Sequence, residues 1–374
     1  MESNTGKRRA YVRVALRSGK YPTLDTSRPL LSCSVVQTRN LLFLALYFRL
    51  CYYTLIIRIR ENLLQIVVSI DRKGILMPTW DEILNEVQDI RALDVVREKY
   101  LDELANTTGR NIICYYSAFL TKQGEGMSIA DSDMTGFMTV VKGMEKSKGL
   151  DLILHTPGGS PTAAEAIVKY LRALFGIDIR AIVPQIAMSA GTMIACAGKE
   201  ILMGKHSSLG PVDPQISGYP AFNIKKVFED AKDDLSKNQN IPYWQIQLSK
   251  YPPQLIYDCI NAIDLSSDLV SDWLKSGMFI GDPDAEQKVK SITEGLNQNK
   301  ESKNHGRHFD KEKCKEFLLK VEDLEDDDSL QDAVLSLHHA YMVLLDNSPV
   351  VKIIESQLKG KRYVISQKNI SVTP

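Results

Sequence analysis

Cysteine is scarce and unpaired in this chain: six in 374 residues, at positions 33, 51, 114, 196, 259 and 314, with no CxxC spacing. That argues against a metal site and favours free thiols in a reducing compartment. Net charge is missing too. Lys+Arg and Asp+Glu both total 46, so no global field draws the chain toward nucleic acid or an acidic membrane. No GxxxxGK[ST] loop is present, and any ATP dependence would have to come from a partner. The histidines (155, 206, 305, 308, 338, 339) include a His-x-x-His at 305 and 308 and the pair His338-His339. With no Cys or Glu ligand beside them, a structural role is favoured over a metal cluster. No cofactor is expected.

What is present falls into three parts: 1–76, 77–280 and 281–374. The first is rich in Arg, Ser and Thr and ends in an apolar run, Leu41–Ile57, broken by Arg49. At 17 residues the run is at the short end of the ~17–25 that a membrane helix needs, with a costly charge near its centre. A cleavable signal peptide fits poorly, since the run starts late and lacks a small-residue cleavage site. Met77-Pro78-Thr79-Trp80-Asp81-Glu82 reads as a second start, with Thr79 and Glu82 spaced as a capping box. Three readings of 1–76 stand: a mis-assigned start, a membrane anchor through 41–57, and an ordered extension. The chain is expected to be cytoplasmic, or membrane-associated through 41–57.

From Trp80 the pattern alternates. A helical period runs over 80–107, a strand over 111–119, a polar loop to Ser128 and a helix over 132–144. Then comes the stretch that organises the rest, Asp151–Pro214. Leu152–His155 is an apolar run ending in Pro157-Gly158-Gly159-Ser160; a helix pattern covers 162–175 and a β-branched run 177–183; Ala187-Met188-Ser189-Ala190-Gly191 then leads into a helix. Strand, glycine turn, helix, strand, serine turn, helix makes two successive βα units. Each carries a polar feature at a strand's carboxyl end, where open α/β sheets place their sites.

The chemistry follows from the turns. Two glycines after a strand let backbone N–H groups face outward without a Cβ in the way. Such donors stabilise the oxyanion of an acyl-transfer intermediate. Ser189 stands at a helix start among neighbours small enough for a carbonyl to approach. Taken singly, a helix cap and a tight turn explain each motif. Their occurrence one βα unit apart favours a nucleophile with an oxyanion hole.

Pro157–Ser160, Met188–Thr192 and Ser207-Ser208-Leu209-Gly210-Pro211-Val212-Asp213-Pro214-Gln215 together resemble the serine dehydrogenase proteinase family. That family is related to signal peptide peptidase A and, more distantly, to the Clp protease/crotonase superfamily. The resemblance runs from about Met77 to about Gln357. It implies an α/β Clp protease/crotonase-like fold of repeated ββα/βα units with a helical C-terminal part. It implies a serine peptidase with Ser189 as nucleophile and an oxyanion hole from Gly158, Gly159 and Ala190. Ser208, Gly210 and Asp213 would border the substrate, although a turn-forming role for Asp213 is equally open. A peptide or protein substrate and a homo-oligomer are the partners implied.

The general base stays open. A serine hydroxyl needs a His or a desolvated Lys to take its proton. Lys250, in Ser249-Lys250-Tyr251-Pro252-Pro253, best fits the position of the signal peptide peptidase lysine, giving a Ser-Lys dyad. His206 and His308 are the reserves, with Lys225 and Lys226 behind them. Two other function classes compete with a peptidase: a crotonase-like enzyme binding an acyl thioester, and a non-catalytic scaffold for membrane quality control.

Overall fold

The sequence builds its strands as continuous apolar runs, as a parallel sheet covered on both faces requires. The computed structural model describes residues 79–87, 90–216, 218–297 and 305–367. The N-terminal readings, including the run at 41–57, lie outside the described residues. No helix among the described residues is long and apolar enough to cross a membrane.

The first half of the fold is α1 (Trp80–Glu86), α2 (Ile90–Thr108), β1 (Asn111–Ser117), α3 (Asp133–Val140), β2 (Leu150–His155), α4 (Pro161–Phe175), β3 (Ile179–Val183), β4 (Ile186–Ala187), α5 (Ala190–Cys196), β5 (Glu200–Met203) and β6 (Ser208–Leu209). The rest is β7 (Gln215–Ile216), β8 (Tyr219–Pro220), α6 (Ala221–Ser236), α7 (Ile241–Leu248), α8 (Leu255–Ser276), α9 (Ala285–Asn297), α10 (Lys311–Glu316), β9 (Val321–Asp323), α11 (Asp328–Asn347), β10 (Val350–Ser356) and β11 (Arg362–Ser366). Seven strands form one sheet in the order β11-β10-β1-β2-β3-β5-β9. The run from β1 to β9 is parallel, and β10 and β11 add an antiparallel edge. The α/β fold class is as expected.

Alternation along the central strands sends side chains to two cores. Ile113, Tyr115, Leu152, Leu154 and Ala181 face α4, α5 and α8. Ile112, Cys114, Tyr116, Ile153 and Ile182 face α2 and α11. The site described below opens from the first of these faces. At the amino ends of the strands, buried Asp151 accepts from Arg110 Nε at 2.7 Å and from Arg180 Nε and Nη2 at 2.7 Å each. These bonds tie β1, β2 and β3 in one register.

Several expectations change. Thr79 and Glu82 do form the capping box, but they cap a short helix that ends before α2 begins. After α6 comes a short helix, α7, with no buried residue. Strands β9, β10 and β11 from 281–374 join the same sheet as β1, β2, β3 and β5. That part is helical over α9, α10 and α11, and its last strand, Arg362–Ser366, pairs with β10. Within the acidic run at 322–328, Asp323 and Glu325 pair with Lys311 at 2.9 Å and 3.0 Å.

Candidate active site

The glycine turn is held from two sides. Thr156 bridges to Ala187, giving its N–H to Ile186 O at 3.1 Å and accepting from Met188 N–H at 3.0 Å. On the other side Ile129 gives its N–H to Gly158 O at 2.7 Å and accepts from Ser160 N–H at 2.9 Å. Gly158 has φ 89° and Gly159 φ 151°, both in the left-handed range that favours glycine. A Cβ on Gly158 would lie 2.5 Å from Met188 O and 2.7 Å from the Cβ of Ser189. A Cβ on Gly159 would overlap the backbone N and O of Ile129. Only glycine fits at either place.

Ser189 has φ 51° and ψ −119°, a strained conformation for a residue with a side chain. It occupies the N-cap position of α5, yet its hydroxyl makes no capping bond, unlike Ser160, whose hydroxyl accepts from Ala163 N–H and caps α4. A turn that strains its serine and leaves the hydroxyl unspent on the backbone is poorly explained as a cap. Small residues permit the turn: a Cβ on Gly191 would strike Thr156, and one on Gly210 would strike Met188.

The N–H groups divide. That of Gly158 is given to Thr156 Oγ1 at 3.2 Å. No hydrogen-bond partner of the Gly159 or Ala190 N–H occurs among the described residues. Ser189, Gly158, Gly159 and Ala190 border a hollow of about 360 Å³, together with Met193, Val212 and His305. No Asp, Glu, Lys or Arg lines it.

His305 arrives by long-range pairing. Leu209 and Phe309 form an antiparallel bridge, with N–H···O distances of 2.9 and 2.8 Å. Four residues beyond the bridge on one strand lies Asp213; four before it on the other lies His305. His305 Nδ1 is 2.9 Å from Asp213 Oδ1, and Gln215 Nε2 donates to Asp213 Oδ2 at 3.0 Å. The Asp213 carboxylate is buried at 1% exposure, so it is committed to these partners.

The structure brings together Ser189, Gly158, Gly159, Ala190 and, through His305, Asp213. Lys250 is elsewhere: it lines a separate hollow with Tyr219, Tyr251 and Pro252 and donates to Gln247 Oε1 at 3.2 Å. The side chain is exposed, so nothing desolvates it as a lysine base would require. His206 is exposed against Gly204. His308 Nδ1 lies 2.9 Å from Ser208 Oγ, and neither residue borders the Ser189 hollow. Gly210 stands behind Met188. His305, read from sequence as part of a weak metal pattern and not as the base, is the histidine that reaches the hollow. Among the described residues no group of three or more His, Cys, Asp or Glu is placed to hold a metal ion.

With this geometry in hand, comparison with known proteins decides the family. Residues 91–325, more than half of the chain, match the family described as ClpP-like SDH-type serine proteinase. The chain belongs to this family. Its relatives include two uncharacterized proteins of Methanocaldococcus jannaschii. One is 35% identical over 160 residues, covering 40% of this chain and 54% of the relative. The other is 35% identical over 146 residues, covering 39% and 44%. The chain thus matches about half the length of these curated relatives. The family match spans every element of the site, from Ile129 through the glycine turn and Ser189 to His305, and it spans Lys250 as well.

Proposed function

We propose that this ClpP-like proteinase hydrolyses peptide bonds with Ser189 as nucleophile, His305 as general base and Asp213 as the group that orients His305. The observation that carries the reading is the meeting of Ser189, two unpartnered N–H groups and the His305–Asp213 pair on one uncharged hollow. Asp213 holds the proton on His305 Nδ1, which leaves Nε2 as the base. Nε2 takes the Ser189 hydroxyl proton as Oγ adds to the carbonyl carbon, and the C=O electron pair moves onto oxygen. The N–H groups of Gly159 and Ala190 receive that oxyanion, where each donor is worth roughly 3–4 kcal/mol in the transition state. The imidazolium then protonates the leaving amine, the C–N bond breaks, and water hydrolyses the acyl-enzyme by the same steps with His305 again as base.

The Ser-Lys dyad with Lys250 is the competing assignment, and it would need Lys250 to approach from its own hollow. The peptidase reading also carries a homo-oligomer, supported by Tyr219, Tyr243, Ile246 and Tyr257, which are apolar and exposed; light scattering on the purified chain checks it. The direct test is hydrolysis of an unstructured protein or a fluorogenic peptide library by the full chain and by Ser189→Ala. Cleavage lost in Ser189→Ala supports the reading. Cleavage that survives Ser189→Ala, or its absence from folded wild type, overturns it; absence returns the thioester-binding and scaffold alternatives.

A further inference from the structure

The glycine turn depends on Ile129, whose side chain is buried in the core at 2% exposure. It belongs to the segment between β1 and α3, and its two backbone hydrogen bonds bracket Gly159. The orientation of the peptides on either side of it is set by polar side chains behind the segment. Lys352 Nζ, on the antiparallel strand β10, donates to Ser128 O at 2.7 Å. The same ammonium pairs with Asp133 Oδ1 at 2.7 Å and Oδ2 at 3.0 Å. Asp133 Oδ2 accepts from Ala130 N–H at 3.1 Å and from Tyr115 OH at 2.7 Å. Ser117, opposite Lys352 in the β1–β10 pair, donates from Oγ to Met127 O at 2.7 Å. The peptide groups on both sides of Ile129 are thus tied to one buried ion pair, with Lys352 and Asp133 at 1% and 0% side-chain exposure.

A buried ion pair is a poor source of stability, because desolvation offsets most of the attraction. Its contribution here is geometric. Charge-assisted bonds are short and directional, and an oxyanion donor displaced by a fraction of an ångström loses much of its effect. Gly159 packs so closely on Ile129 that no Cβ fits between them. A shift of Ile129 therefore moves Gly159.

We propose that the Lys352–Asp133 pair is a positioning device that holds the Gly159 N–H in line for the oxyanion, acting through Ser128, Ala130 and Ile129. The inference rests on the peptidase reading above. Neither residue lines the hollow, so neither touches substrate in this account.

The test uses the full chain carrying Lys352→Met with Asp133→Leu, which removes both charges together and leaves no unpaired one. Tyr115→Phe is the milder variant: it removes the hydroxyl that donates to Asp133 Oδ2 and loosens the pair without unpairing a charge. Rates are taken per active site titrated with a fluorophosphonate, alongside wild type and Ser189→Ala. The expected result for the double variant is kcat lower by about 10- to 100-fold, with KM nearly unchanged. A peptide boronate, whose tetrahedral oxygen occupies the oxyanion position, should bind weaker by the same factor. Tyr115→Phe should show the same pattern at about 2- to 10-fold. A merely structural role would lower the titrated fraction and leave kcat per site and boronate affinity untouched. That outcome in the double variant, or in Tyr115→Phe if the double variant does not fold, overturns the inference and leaves the peptidase reading standing. Wild type inert toward both peptide and fluorophosphonate overturns the peptidase reading and the inference with it.

Discussion

Asp213 and His305 are 92 residues apart in sequence and 2.9 Å apart in space, carboxylate oxygen to ring nitrogen. The pairing of Leu209 with Phe309 sets that separation. If the carboxylate orients the imidazole, Asp213→Asn should favour the wrong tautomer and lower kcat by about 10²- to 10⁴-fold with a smaller effect on KM. Steady-state hydrolysis measures this, and an unchanged kcat would remove Asp213 from the machinery.

Gly158 and Gly176 have similarly left-handed backbones, φ 89° and 62°, but different surroundings. A Cβ on Gly176 meets nothing within 4 Å, whereas one on Gly158 runs into Met188 O and Ser189. Gly176→Ala should cost about 1 kcal/mol of stability, the ordinary penalty for a side chain at positive φ, with rates unaltered. Gly158→Ala should lower the acylation rate by at least about 100-fold, since it displaces the serine turn and the oxyanion donors. Urea melts and fluorophosphonate labelling of the two variants separate the effects. Equal rates in both would mean that the turn tolerates a side chain.

Behind the glycine turn, on the opposite face of the sheet, His155 packs against Tyr116, Phe119 and His338. Neither ring nitrogen of His155 has a hydrogen-bond partner among the described residues. Burial lowers its pKa to about 3 and holds that of His338 well below the usual value. Both rings therefore gain their protons on unfolding. Their contribution to stability is present above about pH 6.5 and is lost as pH falls toward the folded values. Each adds a slope of roughly 1.4 kcal/mol per pH unit in that window. Unfolding free energy measured from pH 7 to 4.5 should fall less steeply in His155→Phe than in wild type. Identical slopes would contradict the assignment.

How far the sequence speaks for this fold depends on how local each signal is. The runs at 150–155 and 179–183, the Pro157-Gly158-Gly159 turn and the small-residue turn at Ser189 are written in consecutive residues, and they are legible; the strain at Ser189 is not. Strand β10 is harder to see, because Lys352 interrupts its apolar run and only its burial beside Asp133 explains a charge there. The edge strand β11, alternating exposed and half-buried, likewise carries little apolar signal. The base is the least legible part. Lys250 has the sequence surroundings of a shielded amine, yet it stands exposed on another hollow. His305 lies in a stretch, 304–310, whose sequence resembles the family, but nothing local marks it as the base, and its approach to Asp213 follows from a pairing between segments about a hundred residues apart.

The most direct measurement is intact mass and peptide mapping of the full chain after a fluorophosphonate, with labelling rates for His305→Gln and Lys250→Ala. The account predicts one adduct, on Ser189, formed at least about 100-fold more slowly in His305→Gln and within about 2-fold of wild type in Lys250→Ala. Labelling that ignores His305 and disappears with Lys250 would contradict it and restore the Ser-Lys dyad; no adduct on folded protein would contradict the nucleophile itself.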